Sequence, residues 1–280
     1  MSAISLPPGS SRALDRNFPA YIEIVRGRLK VAIAYRQNSL FLLAIVVVQI
    51  FILKKVWTAL YAHQTSVSGV DRHALLVYLT IANIQGWVLQ DPTVSRYMYE
   101  RVRQGLVAFD LVRPSGFIQQ MFAQLAGSTL SSMMFVVPAL PIIYFAGTLG
   151  APASWSAAGA YVASLACGYV ITMMLMLIIG MIAFWTTEIL GLTMLYRLVS
   201  QFFAGALVPL TFFPGALRVL AEALPFQSTV YVPVAIYVGR LHGLAMLQAI
   251  VVQIAWIVGL SFAAWAMWRR ALFRVVVQGG

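Results

Sequence analysis

The residues best suited to a chemical or binding role are the arginines of one charged segment, residues 91–116. It reads DPTVSRYMYERVRQGLVAFDLVRPSG, with four Arg and three carboxylates. Charges of both signs at this density favour ionic contacts with another polar surface. Gly105 and Pro114 interrupt the segment, which predicts short helices joined by turns. The alternative interpretation is a solvated loop that only connects two apolar stretches.

Catalytic motifs are missing from the sequence. No Gly-Lys pair occurs, so the phosphate-binding loop G-x-x-x-x-G-K-[ST] cannot be formed. H-E-x-x-H, G-x-S-x-G and a paired Asp motif for magnesium and a diphosphate are also missing, which argues against a membrane protease, lipase or prenyltransferase. Cys167 lies in an apolar run and the three histidines are scattered. We therefore expect no catalytic residue, no metal site and no cofactor bound by this chain.

The composition indicates a membrane protein. Of 280 residues, 61% are hydrophobic and 10% are charged, whereas charged residues make up about 25% of a typical soluble domain. The net charge is +11, but the Lys and Arg lie at the ends of apolar runs. That placement fits lipid head groups, whereas nucleic-acid binding needs a basic solvated face. The expected environment is a lipid bilayer, and no nucleic-acid partner is expected.

Apolar runs set the predicted fold. A helix needs roughly 20 apolar residues to cross the hydrocarbon core. By this measure the sequence predicts an all-α polytopic membrane protein with six transmembrane helices. These cover residues 39–61, 74–90, 126–146, 157–184, 191–213 and 244–268. The break between the fourth and fifth helices is expected near Glu188.

The segments at the N-terminal side have their own predicted roles. Residues 1–17 lack the apolar region of a signal peptide and are expected to form a flexible tail. Residues 18–38 place Glu23, Arg26 and Lys30 on one stripe of a helix, opposite an apolar face. This pattern predicts an amphipathic helix on the membrane surface. An ordinary basic flank of the first crossing is the alternative.

A second interrupted region precedes the sixth crossing. Residues 214–243, called here the interrupted segment, are too apolar for a free loop, and Pro225 and Pro233 break them. We expect partly re-entrant or surface-lying helices packed on the bundle, because lipid tolerates irregular backbone only where protein covers it. Residues 269–280 form the C-terminal end.

Basic residues predict the orientation. Most Lys and Arg fall in the N-terminal region, the charged segment and the C-terminal end, which should face the cytoplasm by the positive-inside rule. Both termini are therefore expected to be cytoplasmic. Lys54 and Lys55 lie inside the first crossing, where they could snorkel to the outer surface. The alternative is that one of them faces an exit path.

Polar side chains within the crossings are candidates for a substrate path. They are Asn83, Gln85, Ser128, Ser131, Ser200 and Gln201. Helix packing is the alternative for the serines, and both interpretations remain open for Asn83 and Gln85.

Several stretches together resemble the membrane subunit of a type-2 ABC exporter, and in particular bacterial permeases of the drug- or viologen-efflux kind. They are YIEIVRGRLKVAIAYR, VWTALY, YERVRQGLVAFDLVRP and GALVPLTFFPGALRVLAEALPFQSTVYVPVAIYVG. The resemblance extends from about Tyr21 to Arg274. Its most specific residues are Gly105, Leu111, Arg113, Pro114, Gly205, Pro209, Phe213, Pro214 and Pro225. Ser115 and Gly116 stand where the usual pattern has an apolar residue.

This resemblance implies an elbow helix at residues 18–38, a coupling helix between the second and third crossings, and a place in the bacterial inner membrane. It implies two copies of a soluble ATPase that binds ATP and Mg²⁺, and a second permease subunit, paralogous or identical. The residues expected to couple to the ATPase are Arg101, Arg103, Gly105, Asp110, Leu111, Arg113, Pro114 and Glu188.

The predicted function is export of a small amphipathic or drug-like substrate, driven by ATP that the separate subunit hydrolyses. A stand-alone secondary transporter or channel is the alternative, and a membrane enzyme or scaffold is a third. Proton-coupled transport favours acidic residues at mid-membrane. The only candidate is Glu188, at a predicted turn.

Overall fold

The computed structural model describes residues 10–62, 66–67, 70–89, 92–112, 116–186 and 188–278. Within these residues the chain is helical, apart from turns and one short antiparallel ladder. The ladder pairs Ser66–Val67 with Val70–Asp71 and closes the connection between the second and third helices.

The helices follow one another with short connections. They are α1 Ser10–Ala34, α2 Arg36–Leu60, α3 Arg72–Leu89, α4 Thr93–Arg103, α5 Val107–Val112, α6 Phe117–Ala146, α7 Trp155–Met181, α8 Leu190–Phe203, α9 Gly215–Ala223, α10 Tyr231–Tyr237 and α11 Gly243–Gln278. Three short 3-10 turns lie at Ile182–Phe184, Leu210–Phe212 and Pro225–Ser228.

Four helical stretches in the described part of the chain are long and apolar enough to cross a membrane. They are Arg36–Leu60, Phe117–Ala146, Trp155–Phe184 and Gly243–Arg274. They correspond to the first, third, fourth and sixth predicted crossings. The second and fifth correspond to α3 and α8, which are not among the four. Helix α8 has only 14 residues, and α3 carries Arg72, His73, Asn83 and Gln85 among its 18.

The N-terminal helix differs in its bounds from the sequence prediction. Helix α1 begins at Ser10, inside the expected tail, of which residues 1–9 lie outside the described residues. It ends at Ala34, four residues before the predicted boundary, and Tyr35 alone separates it from α2. Tyr35 has φ −102° and ψ 31°, and its N–H still donates to the Val31 carbonyl. Because neither Pro nor Gly marks this single-residue break, the pattern placed it too late.

The predicted fifth crossing, residues 191–213, is wrong beyond Phe203, where α8 ends. Gly205 has φ +75°, a backbone conformation that residues other than glycine rarely adopt. Pro209 has no N–H to continue a helix. The chain therefore turns away as an irregular stretch before the 3-10 turn Leu210–Phe212.

Helix α7 lies at the centre of the bundle and packs against α4, α10 and α11. Helix α6 packs against α1 and α2. The short helix α10 is part of the core, since Tyr231–Ile236 are buried. The interrupted segment therefore packs on α3 and α7 through α10.

We expect Gly205→Ala to lower the stability of the fold. A Cβ on Gly205 would lie 2.7 Å from Leu210 Cδ1 and 3.0 Å from the Tyr78 hydroxyl oxygen, in addition to the cost of φ +75°. The free energy of unfolding should fall by about 1–3 kcal/mol, measured by thermal unfolding in detergent.

Gly159→Ala in α7 is the matched control, because nothing lies within 4 Å of its Cβ position. It should leave stability unchanged or raise it by about 0.5–1 kcal/mol through helix propensity. Equal unfolding temperatures for Gly205→Ala and Gly159→Ala would contradict the role given to Gly205.

Candidate functional site

The charged segment folds as two short helices, α4 and α5, joined by a turn at residues 104–106. Gly105 has φ +69° in this turn. The Leu106 N–H donates to the Arg101 carbonyl at 2.9 Å, and the Gly105 N–H donates to the Val102 carbonyl at 3.1 Å. The turn thereby satisfies carbonyls at the end of α4 and brings α5 back beside it.

An ion pair joins α4 to α5. Arg101 Nε donates to Asp110 Oδ2 and Arg101 Nη2 donates to Asp110 Oδ1, both at 2.5 Å. The Asp110 side chain is completely buried, whereas 20% of the Arg101 side chain is exposed. The hydrogen bonds that Arg101 donates to the Asp110 carboxylate raise the pKa of Arg101 above its usual value. Two parallel bonds to a buried carboxylate fix the angle between the two helices.

A chain of hydrogen bonds links the charged segment to the start of α8. Arg103 Nη1 donates to the Tyr99 hydroxyl at 3.3 Å, and the Tyr99 hydroxyl donates to Glu188 Oε2 at 3.4 Å. Glu188 Oε1 accepts the Leu190 N–H at 2.7 Å. The structure therefore brings Glu188 next to the predicted coupling residues.

Phe109 on α5 is a residue that the sequence reasoning missed. Its side chain is 68% exposed, although its neighbours along the chain are mostly apolar. The sequence alone did not show which of these apolar residues is exposed. Leu111 lies in α5, but its side chain is outside the described residues, as are Arg113 and Pro114.

The first turns of α4 are anchored in the bundle. Val94 and Met98 are buried against α7, and a Cβ on Gly180 would lie only 3.1 Å from Met98 Cβ. Arg28 Nη2 of α1 donates to Thr93 Oγ1 at 2.7 Å. The start of the charged segment therefore contacts α1 and α7 at once.

Asn83 and Gln85, two candidates for the substrate path, bind backbone carbonyls of irregular stretches. Asn83 Nδ2 donates to the Ala206 carbonyl at 3.1 Å, and its Oδ1 accepts Gln49 Nε2 at 2.9 Å. Gln85 Nε2 donates to the Thr229 carbonyl at 2.7 Å. Both side chains are buried, so they stabilise backbone that a regular helix does not pair.

Tyr78 and Gln253 act in the same way and were not foreseen. The Tyr78 hydroxyl donates to the Gly205 carbonyl at 2.8 Å. Gln253 Nε2 donates to the Ser228 carbonyl at 2.8 Å and the Ser164 carbonyl at 3.1 Å. We call Tyr78, Asn83, Gln85 and Gln253 the carbonyl-binding side chains. A polar side chain within an apolar run was the signal that could have indicated these residues. The Gly- and Pro-containing stretches elsewhere in the chain indicated backbone carbonyls in need of donors.

The other four path candidates lie on two further helices. On α6, Ser131 Oγ donates to the Gly127 carbonyl of its own helix at 2.7 Å, and Ser128 Oγ lies 3.4 Å from Thr93 Oγ1. On α8, Ser200 is buried and Gln201 is half-buried. The six candidates are thus spread over three helices, and their role in a substrate path stays a prediction.

Lys54 and Lys55 each have a partner near the end of α2. Lys54 Nζ donates to the carbonyls of Phe145 and Gly147, where α6 ends. A cation is favourable at the C-terminus of a helix, because the last carbonyls have no intrahelical donor. Lys55 Nζ lies 5.4 Å from the centre of the Phe51 ring.

Comparison with known protein families matches most of the chain. A family model described as "ABC-2 family transporter protein" matches residues 43–279, from within α2 to the end of the chain. No curated protein matches this sequence.

Removing a side-chain group that donates to a backbone carbonyl should destabilise the fold. Tyr78→Phe removes the hydroxyl that donates to the Gly205 carbonyl and keeps the aromatic ring. We expect the free energy of unfolding to fall by about 1–3 kcal/mol, the cost of a buried polar group without a partner, measured by thermal or denaturant unfolding in detergent. Tyr144→Phe is the control, since Tyr144 is 58% exposed. Similar losses in both variants would count against the carbonyl-binding role.

A double-mutant cycle tests the Arg101–Asp110 ion pair. Arg101→Gln leaves a buried carboxylate without this cation and should cost on the order of 3 kcal/mol. Arg101→Gln combined with Asp110→Asn should cost less than the sum of the single changes, because the two residues interact directly. Arg270→Gln, at an exposed position of α11, should change stability little. Additive effects of Arg101→Gln and Asp110→Asn would rule out the pairing.

Proposed function

The chain belongs to the ABC-2 family of transporter proteins, and we propose that it is the membrane subunit of an ATP-driven exporter. A separate soluble ATPase, present in two copies, binds ATP and Mg²⁺. A second permease subunit, identical or paralogous, completes the complex in the bacterial inner membrane. The cargo is a small amphipathic or drug-like molecule. Family membership, the four long apolar helices and the lack of a Gly-Lys pair support this proposal.

In this proposal α3 and α8 complete a set of six crossings, with both termini in the cytoplasm. The excess of Arg in the charged segment and at the chain ends supports this orientation. The packing of α3 supports its place as the second crossing. It lies against α2, α6 and α10, and Asn83 and Gln85 are buried among them. Polar side chains are tolerated at membrane depth when they face protein in this way.

The observation that carries the proposal is the exposed Phe109 on the rigid α4–α5 unit. Arg101 and Asp110 hold the unit together. Phe109 of α5 is 68% exposed, and Arg103 of α4 is also exposed. Exposed aromatic and Arg side chains on a fixed scaffold are typical of interface hot spots. The charged segment is therefore the proposed coupling element, with Phe109 as its apolar anchor and Arg103 and Arg113 as charged contacts to the ATPase.

The contacts of α4 provide a route for movement. Because Met98 packs on Gly180 of α7 and Thr93 binds Arg28 of α1, a displacement of α4 must shift these helices or break the contacts. Closure of the ATPase pair on ATP would displace α4 in this way. Glu188 carries the same displacement to α8 through Tyr99.

Phe109→Ala should weaken binding of the ATPase. Loss of a central aromatic anchor typically costs at least about 2 kcal/mol, which corresponds to roughly 30-fold in affinity. The measurement is retention of an ATP-hydrolysing subunit with the tagged, detergent-solubilised complex, followed by the ATPase activity of the eluate.

Phe145→Ala is the control, since Phe145 is also exposed, at 79%, but lies at the far end of α6. Unchanged ATPase retention in Phe109→Ala would overturn the docking assignment. Ion-gradient-driven transport by vesicles that contain this chain alone would instead support a stand-alone carrier.

A further inference from the structure

A cavity of about 290 Å³ lies between α4, α7 and α8. Its apolar wall includes Met176, Ile189, Leu190 and Met194. Leu190 and Met194 are also 59% and 70% exposed. The cavity therefore opens onto the apolar outer face of α8.

Two arginines line the same cavity. Arg96 comes from α4 and Arg197 comes from α8. Both are exposed, and neither guanidinium group has a hydrogen-bond or ion-pair partner among the residues that the structure describes. Two positive charges at one apolar cavity repel each other, and an anion between them relieves that repulsion.

Glu188, next to the cavity residue Ile189, forms no ion pair with either arginine among the pairs of the described residues. Both oxygens of Glu188 are already engaged, with the Leu190 N–H and the Tyr99 hydroxyl. Tyr196 also lines the cavity, and its side chain is buried. The cavity thus combines two arginine side chains with an apolar exit.

We propose that this cavity binds an anionic phospholipid. The phosphate lies between Arg96 and Arg197, where each guanidinium donates charge-assisted hydrogen bonds to it. An acyl chain leaves the cavity past Leu190 and Met194 and follows the outer face of α8. The cavity holds only part of such a molecule, which fits a ligand whose remainder stays in the bilayer.

The charge selects the ligand class. A cationic amphiphile would be repelled by both arginines. A zwitterionic head group would bring its own positive charge next to the two arginines. Inorganic phosphate would satisfy the arginines but leave the apolar wall uncovered. A phospholipid with net negative charge satisfies both parts. By bridging Arg96 and Arg197, it holds the start of the charged segment against α8.

The test uses the full-length chain, purified in a neutral detergent without any ATPase. Native mass spectrometry and thermal unfolding are measured with phosphatidylglycerol, with phosphatidylcholine of the same acyl chains, and with inorganic phosphate. Phosphatidylglycerol should bind and raise the unfolding temperature, whereas the other two should not. The double variant Arg96→Gln/Arg197→Gln should weaken phosphatidylglycerol binding at least about tenfold, the effect of losing charge-assisted hydrogen bonds.

Arg270→Gln is the matched control, since it removes one exposed arginine elsewhere and should leave binding unchanged. Thr193→Phe, which places a ring inside the cavity, should also weaken binding while both arginines remain. Equal binding of the two lipids, full competition by inorganic phosphate, or undiminished binding by the double arginine variant would each overturn the proposal. None of these outcomes depends on whether the chain couples to an ATPase.

Discussion

Every backbone N–H and C=O at membrane depth needs a partner inside the protein, because lipid offers none. This chain leaves regular helix soon after Phe203 and again around the 3-10 turn Pro225–Ser228. The carbonyls freed there are bound by the carbonyl-binding side chains of α3 and α11. Helix α3 carries buried polar side chains that meet this need. Tyr78 and Asn83 bind carbonyls that a longer α8 would have paired within itself, and Gln85 binds the Thr229 carbonyl.

The charged segment contains residues that hold it together and other residues that it exposes. Arg101 and Asp110 face each other and set the geometry of α4 and α5, whereas Phe109 and Arg103 are exposed. A rigid pair of helices can present a side chain precisely, since little conformational freedom is lost when a partner binds. The buried half of α4 fixes this unit to α7.

The sequence predicts the long apolar helices well, because length and hydropathy are local properties. The turn at Gly105 and the break near Glu188 were also visible as local signals. The end of α8 at Phe203 was not, since Gly205 and Pro209 stand in a mostly apolar run that is long enough for a crossing. The contacts that close around Gly205 come from distant residues such as Tyr78. The partners of Asn83 and Gln85 are backbone carbonyls, which have no side-chain identity to detect. Exposure of Phe109 depends on how α5 folds back, and that requires tertiary structure.

The wide sequence separation of the α3 contacts affects how the protein is made. Asn83 and Gln85 bind carbonyls that lie 123 and 144 residues further along the chain, so the ribosome has not yet synthesised them when α3 emerges. At that stage Asn83 can already bind Gln49 of α2 and the Leu79 carbonyl of its own helix. The contacts that fix α3 to the irregular stretches can form only after those stretches have been synthesised.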